Sequence, residues 1–170
     1  MLAGGVGFAN HRDALKGDPK PGEKVVLIGG DNYRIGMGGG AVSSVNTGQY
    51  TSGIELNAVQ RANPEMQKRA ANVIRAIAES DNNPIVSIHD HGAGGHLNCL
   101  SELVEATGGH IDMSQLPVGD PTLSAKEIIG NESQERMGLL MEEKDVERVR
   151  RIAERERAPM YVVGETTDDI

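Results

Sequence analysis

The 170 residues carry a net charge of -8, which suits one domain with a single core and argues against a nucleic-acid groove, since phosphate backbones reward basic stripes. Phe8, Tyr33, Tyr50 and Tyr161 are the only aromatic side chains, so stacking platforms for bases are almost missing and the backbone must hold any nucleotide. No apolar run approaches the length of a membrane span, no charged-then-apolar leader is present, and Cys99 alone cannot form an internal disulfide, which together point to the cytoplasm.

In chain order, residues 1–22 read as the end of a preceding domain plus a linker: Gly4-Gly5-Val6-Gly7 opens a glycine-rich stretch, and Pro19 and Pro21 follow polar residues. Residues 23–170 read as one domain, a fragment of a longer chain. Lys24 to Ile28 predicts a strand, Gly29 to Gly40 a glycine-dense loop, and Ala41 to Thr47 a second extended piece, its residues small, β-branched and hydroxylated. Pro64 to Glu79 predicts a helix with Asn63 as its cap and Met66, Ala70, Val73, Ile74 and Ile77 on its buried stripe.

A strand from Ile85 runs through Asp90 into Gly92-Ala93-Gly94-Gly95, and Leu97, Leu100, Leu103 and Val104 then predict a helix to Ala106. That order aims an acid and a row of backbone amides at one phosphate or metal, where ligands gather in open sheets. A short extended run follows near Ile111. Ser124 to Ile129 predicts a brief helix, with Glu127 three residues after the capping serine. Arg136 to Met141 reads as a strand, Lys144 to Glu156 as a charged helix burying Val146, Val149 and Ile152, and Tyr161 to Gly164 as a closing strand. The mixture predicts a layered α/β or α+β sheet domain.

Several side chains admit two readings. Gly38, Gly39 and Gly40 let amides converge on an anion, or simply make a tight turn; no Lys-Ser/Thr pair follows them, so this is not a P-loop. Arg34 either pairs with a phosphate or is solvated. The polar run Asn131 to Arg136 either stays wet or offers donors and acceptors to a polyhydroxylated or amide-bearing ligand. Gln60 binds an amide or is exposed. Cys99 lies within an apolar repeat, where a buried side chain explains it better than a nucleophile. His89 and His91 lie on the strand face opposite Asp90, which disfavours a zinc cage and leaves Asp90 for a hard cation such as magnesium.

Four ordered blocks carry a resemblance. They are Gly29-Gly30-Asp31-Asn32-Tyr33-Arg34-Ile35-Gly36-Met37-Gly38-Gly39-Gly40 onward to Ser44, Val59-Gln60-Arg61-Ala62-Asn63-Pro64, His89-Asp90-His91-Gly92-Ala93-Gly94-Gly95 with Asn98, and Asn131-Glu132-Ser133-Gln134-Glu135-Arg136. Together they resemble the phosphoribosylformylglycinamidine synthase family, in its long single-chain form, across Lys24 to about Gly164.

The resemblance implies the fold of the carboxy-terminal domain of aminoimidazole ribonucleotide synthase, α+β with a mixed β-sheet flanked by helices. It implies substrate contacts at Gln60, Glu132, Ser133 and Gln134, phosphate-loop candidates Arg34, Gly38, Gly39, Gly40, Gly92, Gly94 and Gly95, and a magnesium ligand at Asp90. The implied reaction is an ATP-dependent carbon-nitrogen ligation that turns formylglycinamide ribonucleotide into its amidine, with ammonia from a glutaminase. The ATP and Mg2+ sites would be completed by the neighbouring amino-terminal synthase domain and a second copy of the pair, the glutaminase domain likewise lies outside this chain, no catalytic residue falls here, and the isolated fragment is expected to be inactive. His91 is assigned no role. Aminoimidazole ribonucleotide synthase, thiamine-monophosphate kinase and selenophosphate synthase, disfavoured by Asn131-Glu132-Ser133-Gln134, are rival enzyme readings, and a scaffold domain is the non-enzymatic one.

Overall fold

The computed structural model describes residues 4–59 and 63–169, residue 134 through its backbone alone. Five strands form one sheet: β1 (Lys24–Ile28), β2 (Ser87–His91), β3 (Gly109–Ile111), β4 (Ser133–Met141) and β5 (Met160–Thr166), in the order β2-β4-β1-β5-β3. The helices are α1 (Gly39–Ser43), α2 (Ser52–Ala58), α3 (Pro64–Ala78), α4 (Gly95–Val104), α5 (Ala125–Ile129) and α6 (Glu143–Glu156).

The alternation of β1 sorts the core. Val26 and Ile28 face α3 and α6, packing with Val73, Ile77, Leu139, Met141 and Val149. Val25 and Leu27 face α4, packing with Cys99, Leu100, Leu103, Leu140 and Val163. Both faces of the central strand are therefore covered, and its last four residues are wholly buried. Among the described residues no helix is long and apolar enough to cross a membrane.

The α+β class holds, but the sheet is not mixed: every pairing between neighbouring strands is antiparallel. The cause is topological. Strands β4 and β5, joined through α6, run parallel to each other, yet β1 inserts between them and pairs antiparallel with both. A strand-helix-strand rhythm in sequence thus gives no parallel neighbours.

Local signals explain the helix ends. Asn63 accepts from the Met66 amide at 3.1 Å with Pro64 in the first turn, and Ser124 and Glu127 form a reciprocal capping box. The extended piece expected over Ala41 to Thr47 is not a strand: Ala41 to Ser43 belong to the short helix α1, and Ser44 to Thr47 follow it as irregular turn. Gly38 adopts φ +64° at its start, and the Ser43 and Ser44 hydroxyls donate to the Gly40 carbonyl at 3.2 and 2.7 Å, bonds that a helical turn brings into reach. Leu97, expected in the core, is exposed, whereas Leu100 and Leu103 are buried as expected and are joined there by His96 and Cys99. Helix α2 carries no strong start signal and was not expected.

Candidate functional site

Glu132, immediately before β4, ties the two glycine loops together. Its amide donates to the Gly36 carbonyl at 3.0 Å, which lays the residue against the first loop. Its carboxylate, 5% exposed, accepts from the Gly40 amide at 3.2 Å (Oε1) and 3.0 Å (Oε2) and from the Gly94 amide at 3.1 Å (Oε1). The amides of α1 and of the turn before α4 thus converge on one anion, as a phosphate-binding nest would, and the anion is a side chain of this chain. A Cβ at Gly39 would sit 2.9 Å from Glu132 Oε2 and 3.0 Å from the Ala58 carbonyl, so the approach needs glycine there.

Asp90 sits at the end of β2, one residue from its terminus, and is exposed. Its Oδ1 accepts from the Gly92 amide at 2.7 Å, closing the same turn whose Gly94 reaches Glu132. Among the described residues Asp90 Oδ2 accepts no hydrogen bond. His89 and His91 both touch α4 residues, His89 through Glu102 at 2.6 Å and His91 through His96 at 2.9 Å.

The remaining site residues divide. Gly95 donates to the Gly92 carbonyl at 3.0 Å and lies against Asn131. Arg34 is turned away from both loops and paired with Glu127, with Thr122 as a second partner at 3.1 Å. Ser133 is half-buried and borders a hollow of about 200 Å3 walled by Asp31, Tyr33, Asn63 and Glu135. Gln60 and the Gln134 side chain lie outside the described residues; Asn63, next after the first of these gaps, lines that hollow. Larger hollows, of about 870 and 900 Å3, lie where the 8–19 segment rests on α3, β2 and α4, away from the glycine loops.

Beneath the loops lies a buried polar cluster that joins Asn131 and Arg136 of the polar run to Asn32 and His96. Arg136 is fully buried. One Nη donates to Asn32 Oδ1 and meets His96 Nε2 at 2.8 Å, and the other donates to Asn131 Oδ1 at 2.6 Å. Asn131 in turn donates to the carbonyls of Tyr33 and Ile35, each at 2.7 Å. Because His96 Nε2 accepts from the guanidinium, its Nδ1 carries the proton and donates to His91 Nε2. The only sequence sign of this cluster was an arginine opening an otherwise apolar strand.

Burial drives the protonation states. It lowers the Arg136 pKa to about 10, leaving the cation intact at neutral pH, and it lowers His91 to about 3 and His96 to about 2, with the Arg136 charge adding to both. Burial likewise raises the Cys99 thiol to about 12, which suits a core side chain and not a nucleophile. His96 therefore stays neutral in the fold while an unfolded chain protonates it below its ordinary pKa of 6.5. As pH falls from 6.5 toward 2 the unfolded state binds the extra proton, so stability is lost through that window. Urea unfolding at about pH 7 and about pH 5 is expected to differ by about 2 kcal/mol on this account alone. His96→Gln is expected to shrink that difference, and an unchanged acid sensitivity in the variant would contradict the assignment.

The family described as AIR synthase related protein, C-terminal domain, matches over residues 20–169. The chain is 44% identical over 165 residues to a probable phosphoribosylformylglycinamidine synthase, chloroplastic/mitochondrial, of Arabidopsis thaliana, covering 96% of this chain and 12% of that one. It is 45% identical over 171 residues to the phosphoribosylformylglycinamidine synthase of Homo sapiens, covering 99% of this chain and 13% of that one. Its fold is similar to that of T. maritima PurL complexed with FGAR, with a TM-score of 0.82 and 26% identity over 93% of this chain and 26% of that chain. The chain thus spans about an eighth of the curated relatives' length.

Proposed function

We propose, since the chain belongs to the AIR synthase related family and forms its C-terminal domain, that it supplies part of the ribonucleotide pocket of a formylglycinamidine ribonucleotide synthase of purine biosynthesis. One observation carries this reading most of the way: the synthase-like blocks, far apart in sequence, come together at Glu132, where Gly40 and Gly94 share its carboxylate. The substrate is formylglycinamide ribonucleotide, in line with the FGAR named for the T. maritima PurL structure. Gln60, Glu132, Ser133 and Gln134 are the residues assigned to it.

In the reaction as proposed, ATP phosphorylates the substrate amide oxygen and glutamine-derived ammonia then displaces phosphate. Groups that hold ATP, liberate ammonia and carry out the transfer belong to the neighbouring synthase and glutaminase domains, which the greater length of the relatives leaves room for. This domain orients the ribonucleotide by hydrogen bonds and glycine-loop amides and is not expected to turn over alone. Gly38 and Gly39 remain the amides best placed for a phosphate, because Gly40, Gly92, Gly94 and Gly95 already donate within the chain.

The residues present also fit magnesium, in a limited way. Mg2+ takes one or two carboxylates and completes its shell with water and phosphate oxygens, which an exposed carboxylate with one oxygen unengaged among the described residues can satisfy. Among the described residues no group of three or more His, Cys, Asp or Glu could hold a metal, so Asp90 would be one ligand of a site finished elsewhere. Bound there, magnesium would neutralise charge on the transferring phosphoryl group. The compartment proposed is the cytoplasm, on the ground that the single cysteine is buried and unpaired.

Calorimetric titration with formylglycinamide ribonucleotide tests the reading. Saturable heat is expected, with a dissociation constant raised about tenfold or more by Gln60→Ala. Heat that Gln60→Ala leaves unchanged would move the pocket elsewhere, and no heat with any ribonucleotide would favour a scaffold domain.

A further inference from the structure

We infer that Arg136 is a positioning residue: its buried guanidinium fixes the two glycine loops relative to each other and so sets the geometry at Glu132. The inference deepens the proposed function and rests on that reading only in taking the Glu132 block as the ligand site. A guanidinium withdrawn from water is expensive, and Arg136 recovers that cost poorly: among the described residues no carboxylate touches it and its Nε has no partner. An apolar side chain of similar volume would fill the space at least as well. What such a side chain lacks is the rigid fork.

The fork reaches both loops. Through one Nη, Arg136 holds Asn32, at the base of the first loop, and His96, in the first turn of α4. Through the other it holds Asn131, whose amide pins the Tyr33 and Ile35 carbonyls of the first loop. Asn131 directly precedes Glu132, and His96 lies two residues beyond Gly94, so one arm ends beside the residue that bears the carboxylate and the other beside an amide that meets it. Lysine, a point charge, can satisfy one arm at a time.

Amide hydrogen exchange of the whole chain, read by NMR without ligand, tests this. In Arg136→Lys the Gly40 and Gly94 amides are expected to exchange about tenfold faster or more, while Val26 and Val163, in β1 and β5, keep their protection within about twofold. The dissociation constant for formylglycinamide ribonucleotide is expected to rise about tenfold or more in the same variant. Unchanged exchange at Gly40 and Gly94, a uniform acceleration across the sheet, or wild-type affinity alongside loosened loops would each overturn the inference. Should Arg136→Lys fail to fold, Asn131→Ala cuts one arm only: Gly40 is then expected to loosen more than Gly94, and equal behaviour of the two overturns it. If wild-type protein binds no ribonucleotide, the proposed function fails, and the exchange data still decide whether Arg136 positions the loops.

Discussion

Glu132→Ala is expected to lower the unfolding free energy by about 2–3 kcal/mol and to abolish measurable ribonucleotide binding. The carboxylate accepts from two loop amides at 3.0 to 3.2 Å while 5% exposed, and hydrogen bonds to a charged acceptor are worth about 1.5–3 kcal/mol each in such settings. Truncation lets the amides regain some water, since Gly94 lies at the surface, which holds the total below the sum of two full bonds. Glu132→Gln keeps one oxygen between Gly40 and Gly94 and is expected to cost about 1 kcal/mol, with a smaller loss of affinity. Urea unfolding monitored by circular dichroism checks both values. An alanine variant as stable as wild type would mean that Glu132 does not join the loops.

Gly95→Ala is expected to be the most damaging single methyl in the site, costing about 3 kcal/mol or more or preventing folding. Gly95 has φ +58°, where an L side chain alone costs roughly 1–2 kcal/mol. Its Cβ would lie 2.3 Å from the Asn131 carbonyl oxygen and 2.6 Å from the carbonyl carbon, and backbone cannot swing aside as a side-chain tip does. Relief would require α4 to move off the Asn131-Glu132 segment, separating Gly94 from Glu132. Gly53→Ala, on α2, meets nothing within 4 Å and has no positive φ, so it is expected to be neutral or to stabilise by up to about 1 kcal/mol. A denaturant series on the two variants checks the contrast, and equal midpoints would contradict it.

Much of the fold could be read from local chemistry. Asn63-Pro64 marked the start of α3, Ser124 with Glu127 marked α5, and the run Lys24 to Ile28 marked a strand, because each signal acts within a few residues. The strand order was not legible in the same way. Whether β1 slips between β4 and β5 depends on contacts more than a hundred residues apart, as in Val26 against Leu139.

The site shows the same division. Asp90 at a strand end beside a glycine turn followed from the run Ile85 to Gly95. That the anion between the two loops is Glu132 did not, because Gly40 and Glu132 stand 92 residues apart and only packing unites them. Arg136 was hidden for a related reason: an arginine opening an apolar run gives no sign of burial until the Asn32, Asn131 and His96 groups that solvate it are brought together.

Mapping amide shifts during titration with formylglycinamide ribonucleotide tests the central claim most directly, since it reports where a ligand sits as well as whether it binds. Saturable changes are expected at Gly38 and Gly39 in the first loop, at Gly92 and Gly94 in the second, and at Ser133 beside the Asp31 hollow. Changes confined to the open hollow between the Phe8 to Gly17 segment and β2, with both glycine loops silent, would contradict it.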